Sequence, residues 1–153
     1  MSELDLREEP YDGPVAQQLI AAVQLEYVSR YGGPDTSPVD PGEFAAPRGR
    51  FLVGYLDVTP VVSGGLRLID DATVEIKRMY VVPEARGRGW ARLVLGRLED
   101  IARSMGATRV LLETGLKQPE AIALYESSGY ERIEGFGHYR CEPDSLSFAK
   151  DLR

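Results

Sequence analysis

Residues 50–94 leave the chain few folds to choose from. "RFLVGYLDVTPVVSGGLRLIDDATVEIKRMYVV" reads as strand, turn, strand, turn, strand, with β-branched and aromatic runs broken near Thr59-Pro60 and Asp70-Asp71. Gly64-Gly65 inside the second run predict a bulge or bend. "PEARGRGWARLV" follows at once and opens an apolar helical pattern from about Gly89 to Met105. Trp90, Leu93, Val94, Leu98, Ile101 and Met105 are spaced for one buried stripe along it. A hairpin meander feeding a helix through a glycine-arginine turn excludes a doubly wound parallel sheet.

The flanking segments extend this plan. "LDLREEP" predicts a first strand with Leu4 and Leu6 on one face. A helix follows over "DGPVAQQLIAAVQLEYVSRYGG", with Asp12 as N-cap, Pro14 in the first turn and Gly32-Gly33 as the stop. Its apolar face is Val15, Leu19, Ala22, Val23 and Tyr27. Residues 33–49 hold four prolines and three glycines, a long loop of the kind that serves as a binding flap. "TRVLLET" is an apolar strand buried on both faces, and "PEAIALYESSG" a helix from Pro119 to Gly129. "YERIEG" and "SLSFAKDL" close the chain as antiparallel strands. The expectation is an α+β fold: a mixed, largely antiparallel sheet of about six or seven strands flanked by about four helices, in one domain over 1–153.

The turn also points to a ligand. The first turn of a helix carries N–H groups without intrahelical partners and the positive end of the helix dipole. Glycines let backbone approach a ligand closely, and Arg86, Arg88 and Arg92 add formal charge, so the turn suits a diphosphate. No Gly-Lys-Ser/Thr follows it, which excludes a Walker loop. Gly87-x-Gly89-x-x-Arg92 lacks the third glycine of the dinucleotide fingerprint.

Composition narrows the chemistry further. A net charge of −6 argues against nonspecific nucleic-acid binding. One cysteine, Cys141, and one histidine, His138, cannot build a disulfide or a cysteine-histidine metal centre. No metal is therefore expected. No apolar run spans a bilayer, and "MSELDLREEP" is not a signal segment, so a cytoplasmic location is expected. Cys141 reads as a small apolar filler, and His138 as a surface or packing residue.

Arg86, Gly89 and Ala91 fall in the pattern Arg-x-x-Gly-x-Ala. This resembles the acyl-coenzyme A signature, Gln/Arg-x-x-Gly-x-Gly/Ala, of the GNAT superfamily of N-acetyltransferases. "TGLKQPEAIALYESSGYERI" is similar to that family's segment after the fifth strand, a helix carrying Ala-x-x-Leu-Tyr and ending in Gly-Tyr. The resemblance covers roughly residues 50–150.

It implies direct acetyl transfer from acetyl-CoA to an amine of a small molecule or protein, through a ternary complex. Backbone around Tyr80, Val81 and Val82 would polarise the thioester carbonyl, and Arg86, Gly87, Arg88, Gly89, Trp90 and Ala91 would hold the pyrophosphate. Tyr125 would protonate the departing sulfur. Glu75, eleven residues before Arg86, would act as general base or else pair with a neighbouring cation. Gln118 stands where the family has asparagine, which weakens the expected contact to the donor. Strand alternation places Glu75, Lys77, Met79 and Val81 on one face and Ile76, Arg78, Tyr80 and Val82 on the other.

Asp35, Asp40, Glu43 and Glu75 would favour a cationic acceptor, with Tyr139 and Arg140 lining its pocket or serving only a hairpin. A noncatalytic acyl-CoA-binding module, or another acyl-CoA donor, stays open as an alternative. Strands near the C-terminus admit a homodimer.

Overall fold

The computed structural model describes residues 3–153. Among the described residues, seven strands form a single sheet in the order β1-β2-β3-β4-β5-β7-β6. They are β1 (Leu4–Glu8), β2 (Gly49–Leu56), β3 (Thr59–Leu68), β4 (Thr73–Val81), β5 (Arg109–Gly115), β6 (Glu131–Ile133) and β7 (Ser145–Asp151). Only β4 and β5 pair in parallel; every other neighbour is antiparallel. Three α-helices, α1 (Pro14–Tyr31), α2 (Trp90–Ser104) and α3 (Pro119–Ser127), join two single-turn 3₁₀ segments at Pro41–Phe44 and Pro83–Ala85. Among the described residues no helix is long and apolar enough to cross a membrane.

Each face of the sheet carries its own apolar cluster. Leu19, Ile20 and Val23 of α1 pack with Phe44, Phe51, Val53 and Tyr80 on one side. Val94, Leu95 and Leu98 of α2 and Tyr125 of α3 pack with Val74, Ile76, Leu112 and Phe148 on the other. Burying each such side chain contributes about 1.5–3 kcal/mol. The stripe on α2 runs through Leu95 rather than Leu93, which is 43% exposed, because the helix leans its Val94-Leu98-Ala102 row onto the sheet.

Local chemistry moves two boundaries. α1 is capped by Gly13, not Asp12: the Pro10–Gly13 turn, closed by the Gly13 N–H to Pro10 O bond of 3.0 Å, places Gly13 next to Pro14 at N1. The β2–β3 reversal lies at Asp57-Val58, with Asp57 in the left-handed region at φ 58°, which aspartate tolerates. Pro60, unable to donate to the ladder, then sits beside the shift in register at Gly54/Tyr55.

The glycine pair in β3 does mark a bulge, but the extra residue belongs to β4. Ser63 pairs with Tyr80 and Gly65 with Lys77, so Arg78 and Met79 face Gly64 alone. Arg78 takes φ 62°, and a Cβ on Gly64 would lie 2.5 Å from Met79 Sδ. The kink overturns the expected alternation. Glu75 and Lys77 are joined on the α1 face by Arg78 and Tyr80, while Met79 and Val81 turn to the α2 face.

Candidate active site

Beyond this kink, β4 and β5 separate. Their pairing ends at Ile76↔Leu112, although β4 continues to Val81 and β5 to Gly115. Two cavities open around the gap, one of about 260 Å³ and one of about 350 Å³, and Gln118 lines both.

The smaller cavity is built largely from backbone. Gly87 and Gly89 adopt φ 79° and φ 83°, which turn the chain sharply into α2. In the interval Gly87–Arg92 no backbone N–H finds a backbone acceptor among the described residues; the first helical bond is Leu93 N–H to Gly89 O at 3.1 Å. Val82 N–H bonds Val61 O at 2.9 Å, so antiparallel alternation directs the Val81 N–H away from β3 and into the gap. Arg86 is tied down by Glu26 at 2.9 Å and by Val81 O at 2.9 Å, and Arg92 by Ser127 and Ser128. Arg88 is exposed.

Two features test whether this cavity suits a diphosphate-bearing acyl donor. The turn offers consecutive free amides, and Trp90 Nε1 is a buried donor with no partner among the described residues. Both fit such a ligand. Tyr125 is buried at the cavity's inner end, edge-on to Tyr130 with ring centroids 5.8 Å apart. Burial, reinforced by Tyr27, pushes its phenol well above the usual range, so it stays protonated at neutral pH.

The larger cavity is built from side chains of distant segments. Its floor is Glu75, Lys77, Arg78 and Glu113, and its rim includes Tyr31, Asp35, Tyr139 and Asp144. The loop after α1 is pinned over it. Asp35 accepts from Arg78 Nη1 at 2.6 Å and from Ser37 Oγ at 2.7 Å, with Lys77 Nζ at 3.5 Å. Burial opposes ionisation of Asp35, yet Lys77, Ser37 and Arg78 outweigh it and hold the carboxyl well below the usual carboxylate range. Thr36 N–H donates to Tyr139 Oη at 2.7 Å, closing the loop against the segment before β7.

Where the sequence-predicted residues fall is now plain. Glu75 faces this cavity but is claimed by Arg67, whose Nε and Nη2 reach Glu75 Oε1 at 3.1 and 2.9 Å. Arg67 also pairs with Glu43 at 3.0 Å, and Asp40 caps the 3₁₀ turn through Gly42 N–H. All four acids expected to attract a cation are thus engaged: three balance arginines and one caps backbone. Tyr139 lines the cavity, whereas Arg140 turns back to Gly137 O. His138 is exposed beside Thr36, and Cys141 is exposed rather than a filler, because residues 134–144 form a surface loop. Gln118 Oε1 accepts from Gly115 N–H and Tyr31 Oη–H, each at 3.3 Å, which secures the turn into α3 without capping it.

Glu113 is the residue that sequence reasoning missed. It has no ion pair among the described residues and accepts only one hydrogen bond, from Ser145 Oγ at 3.3 Å. Burial and the neighbouring Glu75 raise its carboxyl to about 7. A lone carboxylate at the end of the apolar run "VLLET" was the signal available.

Comparison with known proteins identifies the family and the fold. The model of the acetyltransferase (GNAT) family matches residues 17–130. An IAA acetyltransferase from Azospirillum brasilense is 37% identical over 147 residues, 95% of each chain. A Klebsiella pneumoniae protein described as an acyl-CoA N-acyltransferase superposes with a TM-score of 0.83 at 27% identity, over 98% of each chain. A GNAT family acetyltransferase from Elizabethkingia anophelis, solved with acetyl-CoA bound, shares the fold at TM-score 0.71 and 13% identity, over 97% of each chain. The chain belongs to the GNAT acetyltransferase family.

Proposed function

We propose that residues 1–153 act as one domain that moves an acetyl group from acetyl-CoA directly to a primary amine of a small molecule or protein. The observation that carries this reading is the meeting of two unlike cavities at Gln118: one of free amides and arginines, the other of carboxylates and tyrosines. The donor, when bound, supplies a thioester carbonyl. The Val81 N–H, directed into the gap, polarises that carbonyl, and the amides of residues 87–92 hold the pyrophosphate. Tyr125, kept neutral by burial, gives its proton to the departing sulfur. No covalent enzyme intermediate is needed.

Release of free coenzyme A when primary amines are supplied, followed with a thiol reagent, tests the reading. Tyr125→Phe should lower kcat by about 10²–10⁴-fold, while calorimetric affinity for coenzyme A changes less than about twofold. Tight acyl-CoA binding without turnover across a broad amine panel would instead make the chain a noncatalytic acyl-CoA-binding module.

A further inference from the structure

The acceptor cavity holds two buried or half-buried carboxylates on neighbouring strands, and the structure gives them different surroundings. Glu75 on β4 has Oε1 filled by two N–H groups of Arg67. Glu113 on β5 has one long bond from Ser145 and an Oε1 lying beside Gly137, 3.4 Å from where a Cβ on that glycine would sit. Glu113 also stands immediately past Leu112, the last β5 residue paired with β4, where the sheet opens toward the donor cavity.

We propose that Glu113 is the proton acceptor of the reaction, receiving the ammonium of a cationic primary amine and taking one of its protons. The inference rests on the acetyl-transfer reading above. It names the acceptor class from the charges left over: Arg67, Lys77 and Arg78 already pair with Glu75, Glu43 and Asp35, so Glu113, Glu142 and Asp144 leave the cavity acidic.

The groups facing Glu113 set its proton affinity. Glu75 and Asp35 raise it along with burial, whereas Lys77 and the Ser145 hydroxyl lower it. The outcome is a carboxyl titrating at about 7, suited to a base that works near neutrality. Tyr31 and Asp144 complete the rim around the entering amine.

The proton balance closes. Glu113 takes one proton from R–NH₃⁺. The freed nitrogen lone pair forms the C–N bond, and the C–S bond breaks with its electron pair on sulfur, which takes the Tyr125 proton. The second nitrogen proton, released as the amide forms, restores Tyr125. Glu113 passes its proton to water, so one proton leaves per acetyl group transferred.

The test is the pH dependence of kcat/KM between pH 5.5 and 9.5 for wild type, Glu113→Gln, Glu113→Asp and Glu75→Gln. The probes are 2-phenylethylamine, cadaverine and an amidated lysine peptide, with acetyl-CoA as donor. Wild-type kcat/KM should rise about tenfold per pH unit up to a break near 7 and then level. Glu113→Gln should lose that break and keep climbing toward the amine's own pKa. Its deficit should shrink from about 100-fold at pH 7 to about tenfold or less at pH 9.5. Glu113→Asp should keep a break at a reduced rate, and Glu75→Gln should keep the break but move it below 7, because the charge of Glu75 helps raise the Glu113 carboxyl. A break that survives in Glu113→Gln, or vanishes in Glu75→Gln, overturns the assignment of Glu113 alone. Absence of turnover with every primary amine overturns the acetyl-transfer reading and this inference with it.

Discussion

The two cavities are made of different material. The smaller cavity, proposed for the donor, is a backbone device: free amides on one short turn, two glycines at positive φ and a strand N–H turned into the gap. The larger cavity, proposed for the acceptor, is a side-chain device, assembled from α1, the loop after it, β4, β5 and the segment before β7. A backbone site is written into consecutive residues and recurs wherever those residues do. A site of distant side chains depends on ion pairs that only the folded chain brings together, so its chemistry can change without disturbing the turn.

The sharpest way to break this contrast is Asp35→Asn. It leaves Arg78, whose side chain is 4% exposed, without its charge partner, and losing one member of a buried pair costs about 3–5 kcal/mol. Melting should fall by about 10 °C, and acceptor KM should rise, while coenzyme A affinity measured by calorimetry stays within about twofold. Equal loss at both cavities would show that they are one cooperative unit. Because the Asp35 carboxyl is held below its ordinary value, its contribution is present above about pH 4. It is lost as pH falls below that, so the gap between wild type and variant should narrow in acid.

Next in size is Gly89→Val. A β-branched residue forced to φ 83° costs about 1–3 kcal/mol, so donor affinity should fall about 10–100-fold with acceptor KM unchanged. A variant that binds coenzyme A normally would mean that the turn is a cap and nothing more.

The smallest expected effect concerns stability. A carboxyl raised to about 7 in the folded chain contributes stability that is fully present below its unfolded value near 4.3 and lost as pH rises through 7. Glu113→Gln removes that loss. It should melt about 5 °C higher than wild type at pH 8 and within about 1 °C of it at pH 4, by scanning calorimetry. A catalytic carboxylate held against its preference predicts this gain; a structural one predicts a decrease.

How much of this was legible beforehand follows from the same division. The meander, the long helices and the glycine turn rest on local rules, periodicity, capping and glycine, and they stand in the structure nearly where residues 50–130 place them. Legibility failed where the deciding partner is far away in the chain. Glu75 reads equally as a base or as half of an ion pair until Arg67 from β3 decides for the pair. Glu113 reads as the end of an apolar strand until the splay exposes it. The alternation along β4 failed for a subtler reason: Gly64 was correctly marked as a place where the strands misfit, but sequence alone does not say which partner carries the surplus residue.

That surplus residue at Arg78 sets the parity of the whole strand. On its N-terminal side the odd-numbered positions face α1, and from Arg78 onward the even-numbered ones do. Deleting one residue would force one half of β4 to turn over. Either Glu75 and Lys77 would swing under α2, or the N–H now aimed into the gap would rotate back toward β3. Length variation at this point is therefore quantised. Viable changes between Lys77 and Tyr80 come in pairs of residues, and a graft of this acceptor cavity onto another sheet must carry the odd residue with it.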